Sequence, residues 1–372
     1  MDIFKFINPA HPTRLDQGFL INGLKSKMWI ERYRDPGEFE FTADVETMVH
    51  RLLPVGTLIS HTESSEVMIV ENHEISEDKL SPTEVKITGR SFETFLENRV
   101  VGSNKKWPSN DLAELEYMLP ADYTWNQILR MVRNHIYLNR VVDIADAVPN
   151  VMVHSTVTGT NGEFEERIIK RGTLYSRMIE LMNLDNLGIK TIRPGLRSPL
   201  GMGDPNQVLL IYRGQDLSSQ LTFTHQTGEI DNADYLWSNK GVKNCALITG
   251  RWLETVVKGP LSQYDRRWMH VDASDIDSIF NAPPTGADRT LALAAMRARG
   301  RLALAGQRQI AFIKAETGTN SMVFNYREHY DVGDIVTVDV PYSETAKMRI
   351  SEYVEIEDET GQSGYPTLSV ME

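Results

Sequence analysis

Two local pairs of carboxylates are the residues of this sequence that come closest to a catalytic arrangement. Glu165 and Glu166 are neighbours, and Asp143 and Asp146 are three residues apart. A glycosidase needs two carboxyl groups roughly 5–9 Å apart on opposite sides of a sugar, with pKa values that differ. Spacing along a chain does not report the geometry of a cleft, and neighbouring acids are usually exposed to solvent. We therefore interpret both pairs as surface charges and predict no catalytic residue and no enzymatic activity.

The histidines and the cysteine do not form a pattern typical of a metal or cofactor site. His50, His135 and His270 each lie in an apolar context, where a hydrogen-bonded structural histidine is the usual finding. Cys245 is the only cysteine, so an intrachain disulfide and a Cys-based zinc site are excluded, and its strand-like neighbours favour a buried position. The sequence also lacks the HExxH, G-x-S-x-G and Walker A motifs. We predict no metal ligands and no cofactor.

The tryptophans leave a carbohydrate-binding function open. One of them could stack on a sugar ring, although tryptophan packs more often in a core or an interface. The six tryptophans are Trp29, Trp107, Trp125, Trp237, Trp252 and Trp268.

The charge of the chain argues against a nucleic-acid-binding protein. The 372 residues carry a net charge of −12, whereas binding to a nucleic-acid backbone needs a basic surface. Five arginines do cluster on or next to a predicted Ala-rich helix at about 287–305, where a solvated or ion-paired helix face is the simpler explanation. These are Arg289, Arg297, Arg299, Arg301 and Arg308.

No segment predicts export or insertion into a membrane. The N-terminal segment MDIFKFINPAHP lacks the charged start and the long apolar core of a signal peptide, and no window approaches ~18 consecutive apolar residues. We expect a protein that stays soluble in the cytoplasm where it is made until it is assembled. The length of the chain suggests roughly two to four domains.

One segment near each end of the chain predicts the fold, because the two share a pattern. Residues 55–87 contain three short, alternating apolar runs, which are typical of half-buried strands, and residues 332–370 repeat that pattern. An internal repeat can reveal an architecture that local propensity does not. We predict an α+β, mainly β fold in which one small β-barrel module occurs twice. The matched residues are Val55 and Gly56 with Val332 and Gly333, and Ile69, Glu71, Glu74 and Ile75 with Ile350, Glu352, Glu355 and Ile356.

Turn and cap signals place other elements. Asn22-Gly23 is a strong hairpin signal within a predicted N-terminal module, 1–100, of about seven strands and two short helices. Thr124 and Gln127 have the spacing of a capping box at the start of a helix, and Thr173 can cap another helix.

The repeat and its surroundings resemble the tail hub, or baseplate hub, proteins of tailed phages, in particular the siphophage branch of that family. The resemblance covers nearly the whole chain and lies in the order of its segments. These segments are MWIERYRDPGEFEF, LLPVGTLIS, VKITGRSFETFLENR, YLWSNKGVKNCALITG, DRRWMHVDASDID, AMRARGRLALAGQRQIAFIKAE, YDVGDIVTVDV, MRISEYVEIEDETG and YPTLSV.

The resemblance implies a homotrimer that closes the distal end of a tail tube. Hub subunits of that family have two tube-like β-barrels each, so a trimer presents six barrels and adapts the sixfold symmetry of the tube to a threefold tip. The implied partners are a tail tube or distal tail ring above and a tip fibre, spike or tape-measure protein below. DNA would only pass through, past an acidic surface that repels it. The expected location is the virion tail tip, after assembly in the host cytoplasm.

The same resemblance implies a discontinuous domain organisation. The first barrel would be 1–100, and the second would combine 200–228 with 308–372. The segments 101–199 and 229–307 would form one or two peripheral α/β domains.

Three other functions remain open at this point. A hexameric distal tail adaptor would carry one barrel per subunit, which the repeat argues against. A tail-tip cell-wall hydrolase would need carboxylates such as Glu165 and Glu166. A host-carbohydrate-binding tail protein would need an exposed aromatic residue.

Overall fold

In the computed structural model of the chain, the described residues are 2–7, 15–76, 83–102, 117–136, 148, 151–158, 164–193, 207–224, 232–238, 241–259, 266–278, 280–307, 310–316, 324–339 and 346–370.

Strands predominate among these residues, as predicted for an α+β, mainly β protein. The strands are β1 (Ile3–Ile7), β2 (Leu15–Ile21), β3 (Leu24–Arg32), β4 (Glu38–Asp44), β5 (Leu58–His61), β6 (Met68–Ser76), β7 (Glu84–Ser91), β8 (Tyr117–Tyr123), β9 (Val151–Ser155), β10 (Phe164–Ile169), β11 (Gly188–Ile192), β12 (Gln207–Tyr212), β13 (Thr222–Phe223), β14 (Asn232–Ser238), β15 (Cys245–Thr249), β16 (Glu254–Lys258), β17 (Trp268–Asp272), β18 (Ile310–Glu316), β19 (Ile335–Val338), β20 (Ala346–Asp358) and β21 (Gly361–Val370). The α-helices are α1 (Val49–Leu52), α2 (Thr124–Ile136), α3 (Leu174–Asp185), α4 (Ser274–Asp277) and α5 (Gly286–Ala305). Short 3-10 helices at Val45–Thr47 and Phe92–Asn98 follow β4 and β7.

Thirteen strands form one large sheet. Their hydrogen-bonded order is β14-β18-β21-β20-β3-β4-β7-β6-β5-β1-β2, with β19 beside β20 and β13 beside β19. Strand β20 is shared, because its first half pairs with β19 and its second half pairs with β3. The sheet therefore contains an N-terminal run (β3, β4, β7, β6 and β5) and a C-terminal run (β14, β18, β21, β20 and β19) that meet edge to edge at β3 and β20. Strands β1 and β2 extend it beyond β5, and β13 extends it beyond β19.

The two runs follow the same path of strand pairing. The N-terminal run has the order β3-β4-β7-β6-β5, and the C-terminal run has the order β14-β18-β21-β20-β19, with every pair antiparallel. The β6–β7 ladder slips by one residue at Glu71, and the β20–β21 ladder slips by one residue at Ser351. A glycine of positive φ precedes both β5 and β19: Gly56 at 87° and Gly333 at 101°.

Strand pairing aligns the two runs in a register that differs by one residue from the predicted one. Strands β5 and β19 each begin two residues after these glycines, and their first residues lie opposite Ile69 and Arg349. The predicted match of Ile69 with Ile350 is therefore wrong, and the other three matches in this strand share the error. A slip of one residue moves a side chain to the opposite face of a strand. In the corrected register, Met68 corresponds to Met348, and both side chains are fully buried.

Neither run closes on itself within the described residues, so the predicted barrels are not seen there as closed sheets. Each run nevertheless has its own apolar core. The core of the N-terminal run includes Trp29, Phe39, Phe41, Ile59, Met68, Val70, Val85 and Ile87. The core of the C-terminal run includes Tyr212, Phe223, Tyr330, Val336, Val338, Met348, Ile350 and Leu368.

Two α/β units lie outside the large sheet. The first unit contains the three-stranded sheet β11-β12-β9, the antiparallel pair β8 and β10, and helices α2 and α3. The second unit contains the sheet β16-β15-β17 with helices α4 and α5. Helix α5 also packs against α3 and β10 of the first unit. In the part of the chain that the structure describes, no helix is long and apolar enough to cross a membrane.

Three arginines of α5 have side-chain partners, whereas Arg289 is exposed. Arg299 forms an ion pair with Asp275, and Arg301 forms one with Glu165. Arg297 donates from Nε to the hydroxyl of Thr255 at 3.2 Å. These contacts support the predicted solvated or ion-paired helix face; Arg308 lies outside the described residues.

Two local predictions are wrong because tertiary pairing overrides the local signal. Asn22-Gly23 joins β2 to β3, but β2 pairs with β1 and β3 pairs with β4, so no hairpin forms there. Thr124 and Gln127 do not form a capping box, because Thr124 Oγ1 has no hydrogen-bond partner and Gln127 Oε1 accepts from Arg167 Nη1 instead. The Thr173 cap is confirmed, since its side chain accepts from the backbone N–H of Ser176 at 3.2 Å.

Tyr33, which follows β3, connects three parts of the chain. Its hydroxyl donates to the carbonyl of Asn186 at the end of α3, at 2.5 Å, and the Arg349 guanidinium lies 4.7 Å from its ring centre. Two glycines allow backbone to approach the ring. An added Cβ would lie 2.2 Å from the ring at Gly188 and 2.5 Å from it at Gly333. Tyr33 therefore fixes both runs and the first α/β unit against one another.

Replacing Gly333 by alanine tests this packing. The added methyl group would meet the Tyr33 ring, and a φ of 101° disfavours any residue with a side chain. Gly361 is a matched control, since its φ is 133° but an added Cβ would meet no atom within 4 Å. We expect Gly361→Ala to show the backbone cost alone, about 1–2 kcal/mol, and Gly333→Ala to lose at least ~1 kcal/mol more in the free energy of unfolding. Equal losses in urea titrations of the two variants would contradict the role of Tyr33.

Candidate functional site

The junction of the two runs is the place where the fold brings distant residues together. Strands β3 and β20 pair from Lys27 opposite Glu357 to Arg32 opposite Glu352. Lys27 Nζ lies 2.7 Å from Glu357 Oε1, and Arg32 Nε lies 2.5 Å from Glu352 Oε2. Opposite charges directly across an antiparallel pair contribute roughly 0.2–1 kcal/mol, and a shift of register would separate them. These two ion pairs therefore favour one alignment of the junction.

A buried polar cluster lies at this junction; it consists of Glu31, His61, Ser64, Tyr326, Arg327 and Glu355. Its centre is the carboxylate of Glu31, which is only 4% exposed. A carboxylate withdrawn from water needs donors in place of the solvent. Four donors reach it: Trp29 Nε1 at 3.1 Å, Ser64 Oγ at 2.5 Å, Tyr326 OH at 2.5 Å and Arg327 Nη2 at 2.8 Å.

Arg327 links the two runs within this cluster. Its Nη2 donates to Glu31 of β3 and to Glu355 of β20, both at 2.8 Å, and lies 3.2 Å from His61 Nε2. Because a guanidinium only donates, His61 accepts at Nε2 and its ring is neutral. Arg327 has a φ of 64°, a left-handed conformation that costs a non-glycine residue about 1–2 kcal/mol. The surrounding hydrogen bonds offset that strain.

The surroundings determine which groups of the cluster carry charge. Burial alone would raise the pKa of Glu31, but the positive charge of Arg327 and the donated hydrogen bonds lower it below its ordinary value. Burial and the charge of Arg327 lower the pKa of His61 to about 3. Burial alone would lower the pKa of Arg327, but the nearby carboxylates raise it. The cluster therefore holds a charged Arg–Glu pair beside a neutral histidine.

Two further carboxyl groups are buried where the N-terminal run meets β11. Burial raises the pKa of Glu66 well above its ordinary value, and the charge of Glu31 adds to that shift. Glu93, in the 3-10 helix after β7, has a carboxyl oxygen 3.0 Å from the hydroxyl of Thr191 in β11. Burial raises the pKa of Glu93 to about 7. The backbone continues this contact, since the N–H of Val67 donates to the carbonyl of Thr191 at 2.9 Å.

The opposite pKa shifts of Glu31 and Glu66 are of the kind that separates an acid from a base in an active site. Here both side chains are closed to a substrate, because Glu31 is 4% and Glu66 is 3% exposed. The arrangement instead joins segments that are far apart in sequence. We therefore interpret the junction as a structural site.

Among the described residues, the carboxylates considered for catalysis do not form a catalytic pair. Glu165 is engaged by two arginines: its Oε1 lies 3.0 Å from Arg167 Nη2, and its Oε2 bonds Arg301. Glu166 lies at a β-bulge between Glu165 and Arg167. Asp143 and Asp146 lie outside the described residues.

His135, His270 and Cys245 have structural surroundings, whereas Nδ1 of His50 is buried without the hydrogen bond that was predicted for it. His135 Nε2 accepts from the backbone N–H of Gly102 at 3.2 Å, and His270 Nε2 lies 2.7 Å from the Thr249 hydroxyl. Cys245 is buried in β15, as predicted. Among the described residues, no group of three or more His, Cys, Asp or Glu side chains is placed to hold a metal ion.

The tryptophans divide between the core and the surface. Trp29 is fully buried beside the polar cluster, whereas Trp252 and Trp268 are exposed. A cation lies over each exposed ring: Arg251 at 4.8 Å from the centre of Trp252, and Lys258 at 5.8 Å from that of Trp268. The side chains of Trp107 and Trp237 lie outside those that the structure describes.

No motif of the sequence predicts the buried polar cluster. One signal does point to it, since Glu31 alternates with Trp29 on the face of β3 that is buried, and a charged residue on such a face requires a buried partner. The partner could not be identified from spacing, because Arg327 lies in a turn 296 residues later in the chain.

Replacing Arg327 by methionine tests the cluster. This change keeps an unbranched side chain but leaves the carboxylates of Glu31 and Glu355 buried without their counter-charge, so we expect a loss of about 3–5 kcal/mol in the free energy of unfolding. Arg90→Met is the matched control. Arg90 also bonds two glutamates but is 37% exposed against 16% for Arg327, and we expect its loss to stay below ~1 kcal/mol. Similar losses for both variants in guanidinium titrations would rule out the proposed role.

Glu93 predicts a pH dependence of stability. Its folded pKa is raised above the ordinary 4.5 to about 7, so its contribution to stability is present below pH 4.5 and is lost as the pH rises through 7. Glu93→Gln cannot ionise, and we expect it to gain about 1–3 kcal/mol relative to the unchanged protein at pH 8 and little at pH 4.5. The control is Glu97→Gln on the same 3-10 helix, which is expected to shift the unfolding free energy by less than ~0.5 kcal/mol at both pH values. A pH-independent difference for Glu93→Gln would refute the assignment.

Comparison with known proteins adds an independent line of evidence. A family model described as Siphovirus ReqiPepy6 Gp37-like protein matches residues 13–368. No curated protein matches the chain by sequence.

Several solved structures of phage tail proteins share the fold over nearly the whole chain. The 43 kDa tail protein of prophage MuSo2 from Shewanella oneidensis has a TM-score of 0.55 and 13% identity, covering 100% of this chain and 98% of that one. Prophage tail protein gp18 from Listeria monocytogenes EGD-e has a TM-score of 0.53 and 10% identity, covering 99% and 94%. The tail protein from Neisseria meningitidis MC58 has a TM-score of 0.52 and 13% identity, covering 99% and 96%. This chain therefore belongs to the Siphovirus ReqiPepy6 Gp37-like family of siphovirus tail proteins, and it has the fold of phage tail proteins.

Proposed function

We propose that this chain is a structural hub of the phage baseplate, and that three copies close the distal end of the tail tube. The observation that carries this proposal is the shared strand order of the N-terminal and C-terminal runs, which meet edge to edge within one chain. Three chains with two such units each would present six similar units in a ring. Such a ring matches a sixfold tube on one side and a threefold tip on the other.

An internal duplication into two tube-like barrels is part of this proposal. The shared strand order, the ladder slips at Glu71 and Ser351, and the glycines of positive φ before β5 and β19 support it. The proposed first barrel is 1–100, and the proposed second barrel combines 200–228 with 308–372. Strand β14 adds to the second barrel, because it pairs with β18 along its whole length.

The peripheral domain is proposed to combine 101–199 with the part of 229–307 that follows β14. The packing of α5 against α3 and β10 supports this combination. So does the ion pair between Arg301 of α5 and Glu165 of β10.

The proposed role is mechanical and electrostatic. A net charge of −12 suits the wall of a channel through which DNA passes without adsorbing, since like charges repel and a backbone-binding surface would be basic. The proposed partners are the tail tube or distal tail ring above and a tip fibre, spike or tape-measure protein below. The proposed location is the virion, after assembly in the host cytoplasm. We propose no enzymatic activity, and the engagement of Glu165 by two arginines argues against its use in wall hydrolysis.

The number of copies in solution tests the hub proposal. One chain has a mass of 42.2 kDa, so light scattering on the purified protein should give about 127 kDa for three copies at micromolar concentration. Cryo-electron microscopy of the tail, with a tag on this chain, should then place three copies at the distal end. A monomer or a hexamer in the assembled tail would overturn the proposal.

A further inference from the structure

Two strand edges have no described strand beside them, and they correspond to the two edges that meet at the junction. Strand β14 is the last strand of the C-terminal run and pairs with β18 on one side only within the described residues. Strand β5 reaches only Met68 and Ile69 of β6, so residues 72–76 have β7 on one side and no described strand on the other. In the shared path of the two runs, β14 takes the position of β3, and β6 takes the position of β20.

We propose that β14 of one chain adds to residues 72–76 of β6 in a second copy, as an antiparallel strand. This contact would repeat the β3–β20 junction between chains. It rests on the proposed hub function and names the surface through which its copies meet. The occupant is a second copy, because the same two kinds of edge already pair inside each chain.

Strand ladders fix the register of this contact without reference to sequence similarity. In each run, residues that lie directly opposite one another on successive strands form a row across the sheet. In the N-terminal run the row is Met28, Glu40, Thr88 and Asn72. In the C-terminal run the row is Asp234, Lys314, Thr367 and Glu352. Met28 therefore corresponds to Asp234, and Asn72 corresponds to Glu352.

These correspondences assign partners across the two chains. Inside the chain, Trp29 lies opposite Glu355 of β20. The corresponding residues are Tyr235 of β14 and Ile75 of β6, so Tyr235 of one copy lies opposite Ile75 of the next. By the same step, Asp234 lies opposite Ser76. The contact joins two different surfaces, β14 of one copy and β6 of the next, so the copies associate head to tail.

The exposure of the β6 edge fits a missing strand. Ile75 is 55% exposed, whereas Glu355, its counterpart within the junction, is 5% exposed. Other exposed apolar side chains, Met48, Leu52 and Val55, lie in the segment that precedes β5. That segment is held beside β6, because His73 Nε2 lies 2.7 Å from the carbonyl of Leu53. Contiguous exposed apolar residues of this kind mark interaction surfaces.

The chemistry of the two contacts differs in a way that suits association. The junction inside the chain buries charged Glu31 and Glu355, whereas the corresponding positions between chains are occupied by Trp237 and Ile75. Separate chains would have to desolvate charges each time they met, which is costly. Aromatic and aliphatic residues avoid that cost and are enriched in the centres of interfaces.

Disulfide crosslinking tests the register. One variant carries Tyr235→Cys, a second carries Ile75→Cys, and the two are coexpressed and oxidised; native Cys245 is buried and stays in place. We expect a covalent dimer of one variant with the other, and none within either variant. Asp234→Cys with Ser76→Cys provides a second, adjacent pair. Opposite residues in an antiparallel ladder alternate between a closer and a wider spacing, so one of the two pairs will have the spacing that suits a disulfide.

A control out of register completes this test. Tyr235→Cys coexpressed with Glu71→Cys puts the two thiols four residues apart along the strand, about 13 Å, and should not crosslink. Equal crosslinking of this control and the in-register pairs would overturn the proposal.

Placing both cysteines of a pair in one chain distinguishes the strand contact from the trimeric hub. A covalent ladder that ends at three chains supports both the strand contact and the trimeric hub. A ladder that continues beyond three chains supports the contact and contradicts the hub. A trimer in solution without any in-register crosslink keeps the hub and overturns the contact.

A further variant tests the contact independently, in case the cysteine variants fold poorly. Ile75→Asp should weaken self-association at least tenfold in sedimentation equilibrium and leave monomer unfolding unchanged, because Ile75 is exposed in the single chain. Leu291→Asp, at a similarly exposed position on α5, should leave association unchanged. Unchanged association of Ile75→Asp would overturn the proposal.

Discussion

Burial of charge at the junction is the constraint on which the rest of the structure depends. A guanidinium and a carboxylate that leave water must meet in good geometry, because either one alone inside the protein costs several kcal/mol. Arg327 meets Glu31 and Glu355 at 2.8 Å, and each comes from a different segment. The N-terminal and C-terminal runs can therefore pack together in only one alignment. The ion pairs at the two ends of the β3–β20 pairing reinforce that alignment.

A sheet that ends in open strands has a related problem, since each edge presents backbone groups without partners. This protein solves it inside the chain by pairing β3 with β20. The corresponding outer edges, β14 and the second half of β6, present other residue types, with Ile75 where the junction has Glu355. One geometry is thus used with two chemistries, a charged one within the chain and an apolar one at its ends.

Much of the fold could be predicted from local patterns, but its long-range contacts could not. Alternation of apolar residues located β5, β6 and β7, and the Thr173 cap formed because it depends only on neighbouring backbone. Matching of residue types placed Ile69 with Ile350, one residue from the register that the ladders define. Similar residues on both faces of a strand made that error invisible in sequence. The partner of Glu31 lies in a turn, where no periodicity points to it.

The fusion of both runs into one polypeptide has a consequence for how an assembly is counted. Because β3 and β20 belong to the same molecule, each always meets its mate at the high effective concentration of a tether. The two kinds of unit are then supplied in strict one-to-one ratio and must alternate around any closed particle. Mutations can also accumulate in one unit without changing the other, so the two units of one chain can diverge in sequence.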